Sequence, residues 1–240
     1  VTVDTIQDIE AYAQRDRGRP HADPGTGMLP PKVAQMLLNF SLVPPGGTIY
    51  DPSCGVGTIP MEARLMGLQV VASDVSPKQA ERTKENLAWL NGAFSLPQSA
   101  DRIFLHDIAQ RSIPVEPNSL DAIVTESWLG PARTSPPLPR ETEEVFSQSL
   151  DLLGRLFHHA HPVLRPGGRV LVTVPAFRVK KRLYRFPVEK LLASGWKQES
   201  LVPDAWRDHP LFRDAARGTL LYGRPDAIVL RELVRMRKAD

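Results

Sequence analysis

Asp51-Pro52-Ser53-Cys54-Gly55-Val56-Gly57-Thr58 is the stretch whose reading decides the fold. A short apolar run, Thr48-Ile49-Tyr50, precedes it, and a helix-like segment, Ile59 to Met66, follows. A strand that ends on an acidic residue and turns through two glycines into a helix is built to hold a small ligand. Glycine lets the backbone approach that ligand without a Cβ in the way. A helix start adds N–H groups that have no intrahelical partner. A Gly-x-Gly turn also occurs in dinucleotide-binding proteins, although the third glycine of that fingerprint is missing here. The features on either side of the turn narrow the reading.

From Thr48 onward the pattern alternates strand with helix. Short Val/Ile-rich strands are expected at 48–51, 69–75, 102–107, 121–127 and 169–176, the composition of strands buried on both faces. Helices are expected at 58–66, 77–91 and 142–161, the second opened by Ser76-Pro77 and stopped at Asn91-Gly92. Upstream, Pro30-Pro31 opens a further helix with Val33, Met36, Leu37 and Phe40 at helical spacing. Repeated β-α-β units predict an α/β fold, a parallel sheet covered by helices on both faces. Such a sheet binds its ligand at the carboxyl ends of its strands.

The bulk properties agree. The chain has 240 residues, 42% hydrophobic and 24% charged, as expected of a globular protein. No apolar run approaches the ~20 residues of a membrane span, and no signal segment opens the chain. Cys54 is the only cysteine, which excludes intrachain disulfides and thiolate metal clusters and fits a cytoplasmic setting. A net charge of +3 permits a nucleic-acid partner without arguing for one. Residues 1–27, with Arg15, Arg17 and Arg19, read as an extended or partly helical lead-in, and 28–240 as the functional domain.

Four successive strands end on a carboxylate: Asp51, Asp74, Asp107 and Glu126. All four project to one edge of the sheet, where a ligand or solvent must use them. Asp74, a little over twenty residues beyond the glycine turn, is placed to accept hydrogen bonds from both ribose hydroxyls of an adenosine-type cofactor. The alternative is a carboxylate that serves the helix start at Ser76. Asp107 with Ile108 is placed to take an adenine amino group and pack on the ring, or else is an exposed strand end.

Asp51-Pro-Ser-Cys-Gly-Val-Gly-Thr58, Ser73-Asp74, His106-Asp107 and Leu164-Arg-Pro-Gly-Gly-Arg169 together resemble class I S-adenosylmethionine-dependent methyltransferases. Arg15-Asp16, Arg19-Pro20, Asp23, Gly27-Met-Leu-Pro-Pro-Lys-Val-Ala34 and Leu220-Leu-Tyr-Gly-Arg-Pro-Asp226 resemble, more narrowly, the tRNA guanine-10 N2-methyltransferases. The resemblance covers nearly the whole chain. It implies a Rossmann-like fold with a seven-stranded, mostly parallel sheet, and S-adenosylmethionine as cofactor. It places Gly27, Met28 and Leu29 against the methionine part of the cofactor. Asp51, Ser53, Gly55, Gly57 and Thr58 would form the turn beneath it, Asp74 and Val75 would meet the ribose side, and Asp107 and Ile108 the adenine. Glu126 would close the site. Family members carry a separate N-terminal RNA-binding domain, which the 24 residues before Gly25 cannot hold. The expectation is therefore a fragment of a longer protein, or RNA capture that depends on another subunit.

The chain departs from the family at its fourth motif, usually Asp-Pro-Pro-Tyr, where it has Glu126-Ser127-Trp128-Leu129. Glu126 preserves an acceptor for an exocyclic amine, and Trp128 offers a stacking surface for a base taken out of its stack. Both prolines are lost, to Ser127 and Trp128. Glu126, Ser127 and Trp128 are the expected catalytic group; the alternative is that Glu126 caps a loop and Trp128 is core. The expected reaction is methyl transfer to the N2 amine of a tRNA guanosine. The alternatives are an amine of a DNA or ribosomal RNA base, or a cofactor-binding partner subunit with little activity. Arg178, Lys180, Lys181 and Arg182, interleaved with Tyr184 and Phe186, are phosphate-contact candidates or one solvated helix face. Cys54 reads as small packing beside the cofactor rather than a nucleophile, and His158, His159 and His161 as a helix C-terminal group rather than a metal site.

Overall fold

The computed structural model describes residues 6–22, 28–180, 182–192, 195–206, 209, 212 and 217–239. Its framework is the strand series β1 (Thr48–Asp51), β2 (Gln69–Asp74), β3 (Arg102–Leu105), β4 (Leu120–Glu126), β5 (Leu164–Val179), β6 (Arg182–Arg185), β7 (Trp196–Glu199), β8 (Leu220–Tyr222) and β9 (Val229–Lys238). Seven of these form one continuous path in the order β3-β2-β1-β4-β5-β9-β7, with β6 hydrogen-bonded to β5 and β8 to β9 off that path. From β3 through β5 the pairings are parallel. β9 runs antiparallel to β5 and β7 antiparallel to β9. The expected seven-stranded, mostly parallel sheet is therefore the path itself, extended by two short hairpin strands.

Five α-helices are described: α1 (Ile9–Ala13), α2 (Pro31–Ser41), α3 (Thr58–Leu65), α4 (Pro77–Ala93) and α5 (Pro139–Ala160). Neighbouring strand residues point to opposite faces, and the core divides accordingly. Ile49, Val70, Ala122, Val124 and Leu171 pack with Val33 and Leu37 of α2 and Ile59 and Ala63 of α3. Tyr50, Val71, Ile123, Val170 and Val172 pack with Leu153, Leu156, Phe157 and Ala160 of α5. α5 starts three residues before the expected 142. Pro139 occupies its first turn, and the Glu141 carboxylate accepts the Leu138 N–H at 2.7 Å, which supplies a helix start that the apolar spacing alone does not mark.

Three further differences have local causes. β3 stops at Leu105, so Asp107 lies in the following turn, where its carboxylate accepts the Ala109 N–H at 2.9 Å. The basic run from Arg178 to Arg185 is not a helix face. It is the β5–β6 hairpin, turning at Lys180 with φ +55°; Lys181 lies outside the described residues. Residues 6–22 are docked on the domain. Arg15 is buried and gives its guanidinium to Glu62 of α3 at 2.6 Å and to the Ala11 carbonyl at 2.9 Å. His21 exchanges hydrogen bonds with Asn86 of α4, both at 2.9 Å.

Candidate functional site

The strand order reverses at β1: β2 and β3 lie to one side and β4 to the other. A reversal of this kind opens a crevice at the carboxyl ends of the two central strands. Asp51 ends β1 and Glu126 ends β4. A cleft at that point is lined by Met28, Leu29, Asp51, Ser53, Cys54, Gly55, Val56, Thr58, Ile59, Gln79 and Glu126. Seven of these are sequence-expected site residues, drawn from three separate parts of the chain. Gly27 lies outside the described residues.

The turn itself is tightly specified. Gly55 has φ +54° and open space where a Cβ would stand, while a Cβ on Gly57, φ +86°, would meet Thr83 at 3.0 Å. The first glycine leaves room for a ligand, and the second lets the turn lie against α4. Asp74 accepts the Gly55 N–H at 2.9 Å through one oxygen and the Ser76 N–H at 2.9 Å through the other. Thr83 donates its hydroxyl to the Gly55 carbonyl at 2.8 Å. Asp74 thus holds the loop and the start of α4 while keeping lone pairs for a ligand. Val75 beside it is exposed and Ile108 is packed in the core. Neither of these, nor Gly57, Asp74 or Asp107, lines the cleft wall directly.

Asp51 is fully buried and accepts the Thr125 hydroxyl at 2.7 Å and the Ser53 N–H at 3.2 Å. Burial drives its pKa up to about 7, the Thr125 and Ser53 hydrogen bonds oppose the shift, and the charges of Asp74 and Glu126 add to it. Cys54 is also buried, and burial with the Asp51 charge lifts its thiol far above the ordinary range. A thiol held protonated in this way is no nucleophile.

Glu126 is engaged by a residue that nothing in its own sequence neighbourhood marks. Arg231 of β9 donates from Nε to Glu126 Oε2 at 2.6 Å and from Nη2 to Oε1 at 3.2 Å. Thr173 of β5 donates to Oε2 at 3.3 Å. Ser127 is buried, and its hydroxyl donates to the Thr173 carbonyl at 2.7 Å, turned toward β5. Trp128 is 41% exposed at the mouth of the following loop. Arg178 donates to the Arg224 and Pro225 carbonyls at 3.1 and 2.6 Å, which ties the β5–β6 hairpin to the loop between β8 and β9. His158 and His159 close the last turn of α5 and, with His161, line a separate hollow beside Trp196. Among the described residues, no group of three or more His, Cys, Asp or Glu side chains converges to hold a metal.

S-adenosylmethionine fits this cleft. The open space at Gly55 admits a ligand against the backbone. Among the described residues the buried side-chain oxygen of Gln79 on the cleft wall has no hydrogen-bond partner, and the carboxylates of Asp51 and Glu126 face a ligand that carries positive charge. Gln79 was not singled out in the sequence, because a glutamine in a first helical turn has no local signature. No helix among the described residues is long and apolar enough to cross a membrane.

Residues 17–176 match the family model described as UPF0020, RMKL-like, methyltransferase domain. The chain is 31% identical over 165 residues to a tRNA (guanine(10)-N2)-dimethyltransferase of Methanothermobacter thermautotrophicus, covering 68% of this chain and 44% of that protein. It thus spans less than half the length of that relative. A ribosomal RNA large subunit methyltransferase E of Archaeoglobus fulgidus is 27% identical over 143 residues, 60% of this chain and 64% of that protein. Among solved structures, TrmN from Thermus thermophilus superposes with a TM-score of 0.56 at 20% identity, over 88% of this chain and 49% of that one; it shares the fold. Because the family model spans well over half of the chain and its turn opens into the crevice at the strand reversal, the chain belongs to the UPF0020 RMKL-like methyltransferase-domain family, whose methyl donor is S-adenosylmethionine.

Proposed function

We propose that this chain methylates the exocyclic N2 amine of a guanosine in tRNA. The observation that carries the reading is Glu126, an ionisable acceptor at the end of β4 on the wall of the cofactor cleft, two residues before the half-exposed ring of Trp128. S-adenosylmethionine supplies an electrophilic methyl group when bound. The lone pair of a guanine amine is delocalised into the ring, so the site must orient it and accept its developing positive charge. A carboxylate has about four acceptor positions. Arg231 and Thr173 take three, which leaves one for an amine N–H. The amine nitrogen bonds to the methyl carbon as the carbon–sulfur bond breaks, and its proton passes through Glu126 to water. Trp128 offers a face on which the base rests. In this proposal the domain works on cytoplasmic tRNA, and RNA capture is shared with a further RNA-binding domain or subunit, as the greater length of the matched tRNA enzyme suggests.

Two observations favour second readings. The likeness to a ribosomal RNA methyltransferase supports an amine on another nucleic acid base. The Arg231 clamp on Glu126, with the prolines of the fourth motif replaced, supports a cofactor-binding subunit with little activity. One experiment separates the three. RNA incubated with the protein and methyl-labelled cofactor is digested to nucleosides and analysed by mass spectrometry. N2-methylguanosine is the expected product. Methyladenosine or methylcytidine identifies the second reading, and cofactor binding without any product identifies the third.

A further inference from the structure

The loop between β4 and α5 is pinned on both sides at its first turn. Ser127 is buried, and both its N–H, at 3.1 Å, and its hydroxyl, at 2.7 Å, donate to the Thr173 carbonyl of β5. The next residue, Trp128, has its carbonyl taken by the Ser149 hydroxyl of α5 at 3.0 Å. Ser149 is fully buried in the interior of a 22-residue helix. A serine there commonly faces solvent or returns its hydroxyl to the carbonyl four residues back. This one reaches out of its helix to the loop, and a buried hydroxyl deprived of that acceptor would be costly. Gly130 supplies a further restraint. Its φ is +95°, and a Cβ there would stand 3.2 Å from both γ-carbons of Val145 on α5, so the chain runs against the helix where only glycine fits.

Between these restraints Trp128 remains exposed. Its backbone is fixed on both flanks while its side chain stays open to solvent, two positions beyond Glu126. Thr173 ties the two residues together: its carbonyl holds Ser127, and its hydroxyl donates to Glu126 at 3.3 Å. Ordering one backbone residue costs about 1–2 kcal/mol. A mobile loop would meet that cost at each encounter with a base, whereas this loop has met it in folding.

We propose that the first turn of the β4–α5 loop is a preformed platform for an unstacked nucleobase, with Ser149 and Ser127 as positioning residues that fix Trp128 relative to Glu126. The ligand class is a planar base with an exocyclic amine. Ser127 then acts through the backbone and not on the reacting atoms, as its hydroxyl on the Thr173 carbonyl requires. This assignment rests on the base-methylation reading of Glu126 and Trp128.

A double-mutant cycle on methyl transfer to RNA tests it, with S-adenosylhomocysteine affinity measured alongside. Ser149→Ala is expected to lower kcat/KM for RNA about 3- to 10-fold, the effect of one lost hydrogen bond. Because Ser149 does not line the cleft, S-adenosylhomocysteine binding should stay within about twofold. In a Trp128→Ala background the same substitution should slow the reaction no further. A loss that persists undiminished without the ring means that Ser149 only supports the fold, and overturns the assignment, as does an unchanged rate in Ser149→Ala. Fluorine NMR of protein carrying 5-fluorotryptophan reads the platform without catalysis. The Trp128 line, identified by its absence in Trp128→Phe, should shift or split in Ser149→Ala while the line of Trp89 on α4 holds its place; an unmoved Trp128 line overturns the assignment. If Ser149→Ala does not melt cooperatively, Ser127→Ala decides by the same criteria. A Trp128→Ala chain that methylates RNA at the wild-type rate overturns the platform alone. A wild-type chain that yields no methylated nucleoside brings down the function beneath it, and the fluorine lines then still decide whether Ser149 fixes Trp128.

Discussion

The carboxylate of Glu126 receives three hydrogen bonds from the fold, two of them from a guanidinium. That arrangement fixes the plane of a carboxylate that lines the cleft. Glu126→Gln retains the shape and removes the charge, so methyl transfer should fall about 10²- to 10³-fold, the scale of a lost charge-stabilising group. Cofactor affinity should stay within about threefold, because the amide still accepts. Arg231→Met should lower the rate as well, about tenfold, by releasing the carboxylate from its orientation. If both residues act through one acceptor, the double variant is no slower than Glu126→Gln alone. Single-turnover methyl incorporation measures all three. Strictly additive losses, or a faster Arg231→Met, mean that the clamp does not serve catalysis.

At the scale of elements, the β5–β6 hairpin sorts Arg178, Lys180, Arg182 and Arg185 into different jobs. Arg185 is committed to Glu232, a fully buried residue, at 2.6 Å, and Arg178 to two carbonyls of the β8–β9 loop. Lys180 and Arg182 are exposed at the turn, with the Arg182 guanidinium 4.9 Å over the Tyr184 ring. Lys180→Ala with Arg182→Ala should therefore weaken RNA binding and lower the slope of log affinity against log salt by about two. Arg185→Ala should leave that slope alone and cost about 3–5 kcal/mol of stability in a denaturant titration, since it removes the nearest cation from a buried carboxylate that then keeps the Thr219 hydroxyl at 2.6 Å and Arg217 at 4.0 Å. An unchanged slope in the double variant removes the hairpin from RNA contact. The hairpin also shows why part of the fold was illegible. The run Arg178 to Arg185 carries charge without apolar alternation, and an antiparallel edge strand of this kind is set by its pairing partners rather than its own pattern. The parallel strands β1, β2 and β4 are buried on both faces, so their apolar runs announce them.

At the scale of the whole molecule, legibility follows sequence separation. The glycine turn, the acidic strand ends Asp51, Asp74 and Glu126 and the helix starts at Pro31 and Pro77 are local, and all were readable. The Glu126–Arg231 pair spans 105 positions and the Arg15–Glu62 pair 47; no local pattern encodes either, so the clamp on the acceptor and the docking of residues 6–22 emerge only in the fold. The same convergence gathers Asp51, Asp74 and Glu126 at one sheet edge and gives stability a pH dependence. Asp51 in the folded chain has its pKa raised from 3.8 to about 7, so the folded state holds that proton more tightly than the unfolded chain. A raised carboxyl pKa contributes stability that is complete below the unfolded value and is lost as pH rises toward the folded one. Between pH 5 and pH 8 the loss from this one group is about 2–3 kcal/mol. Asp51→Asn preserves an acceptor for the Thr125 hydroxyl and the Ser53 N–H while removing the charge. In ligand-free urea titrations the variant should match the wild type most closely near pH 5 and gain on it steadily up to pH 8. Parallel stability curves for the two chains across that range would show that Asp51 does not titrate near neutrality, and that the acidic edge is stabilised without a shared proton.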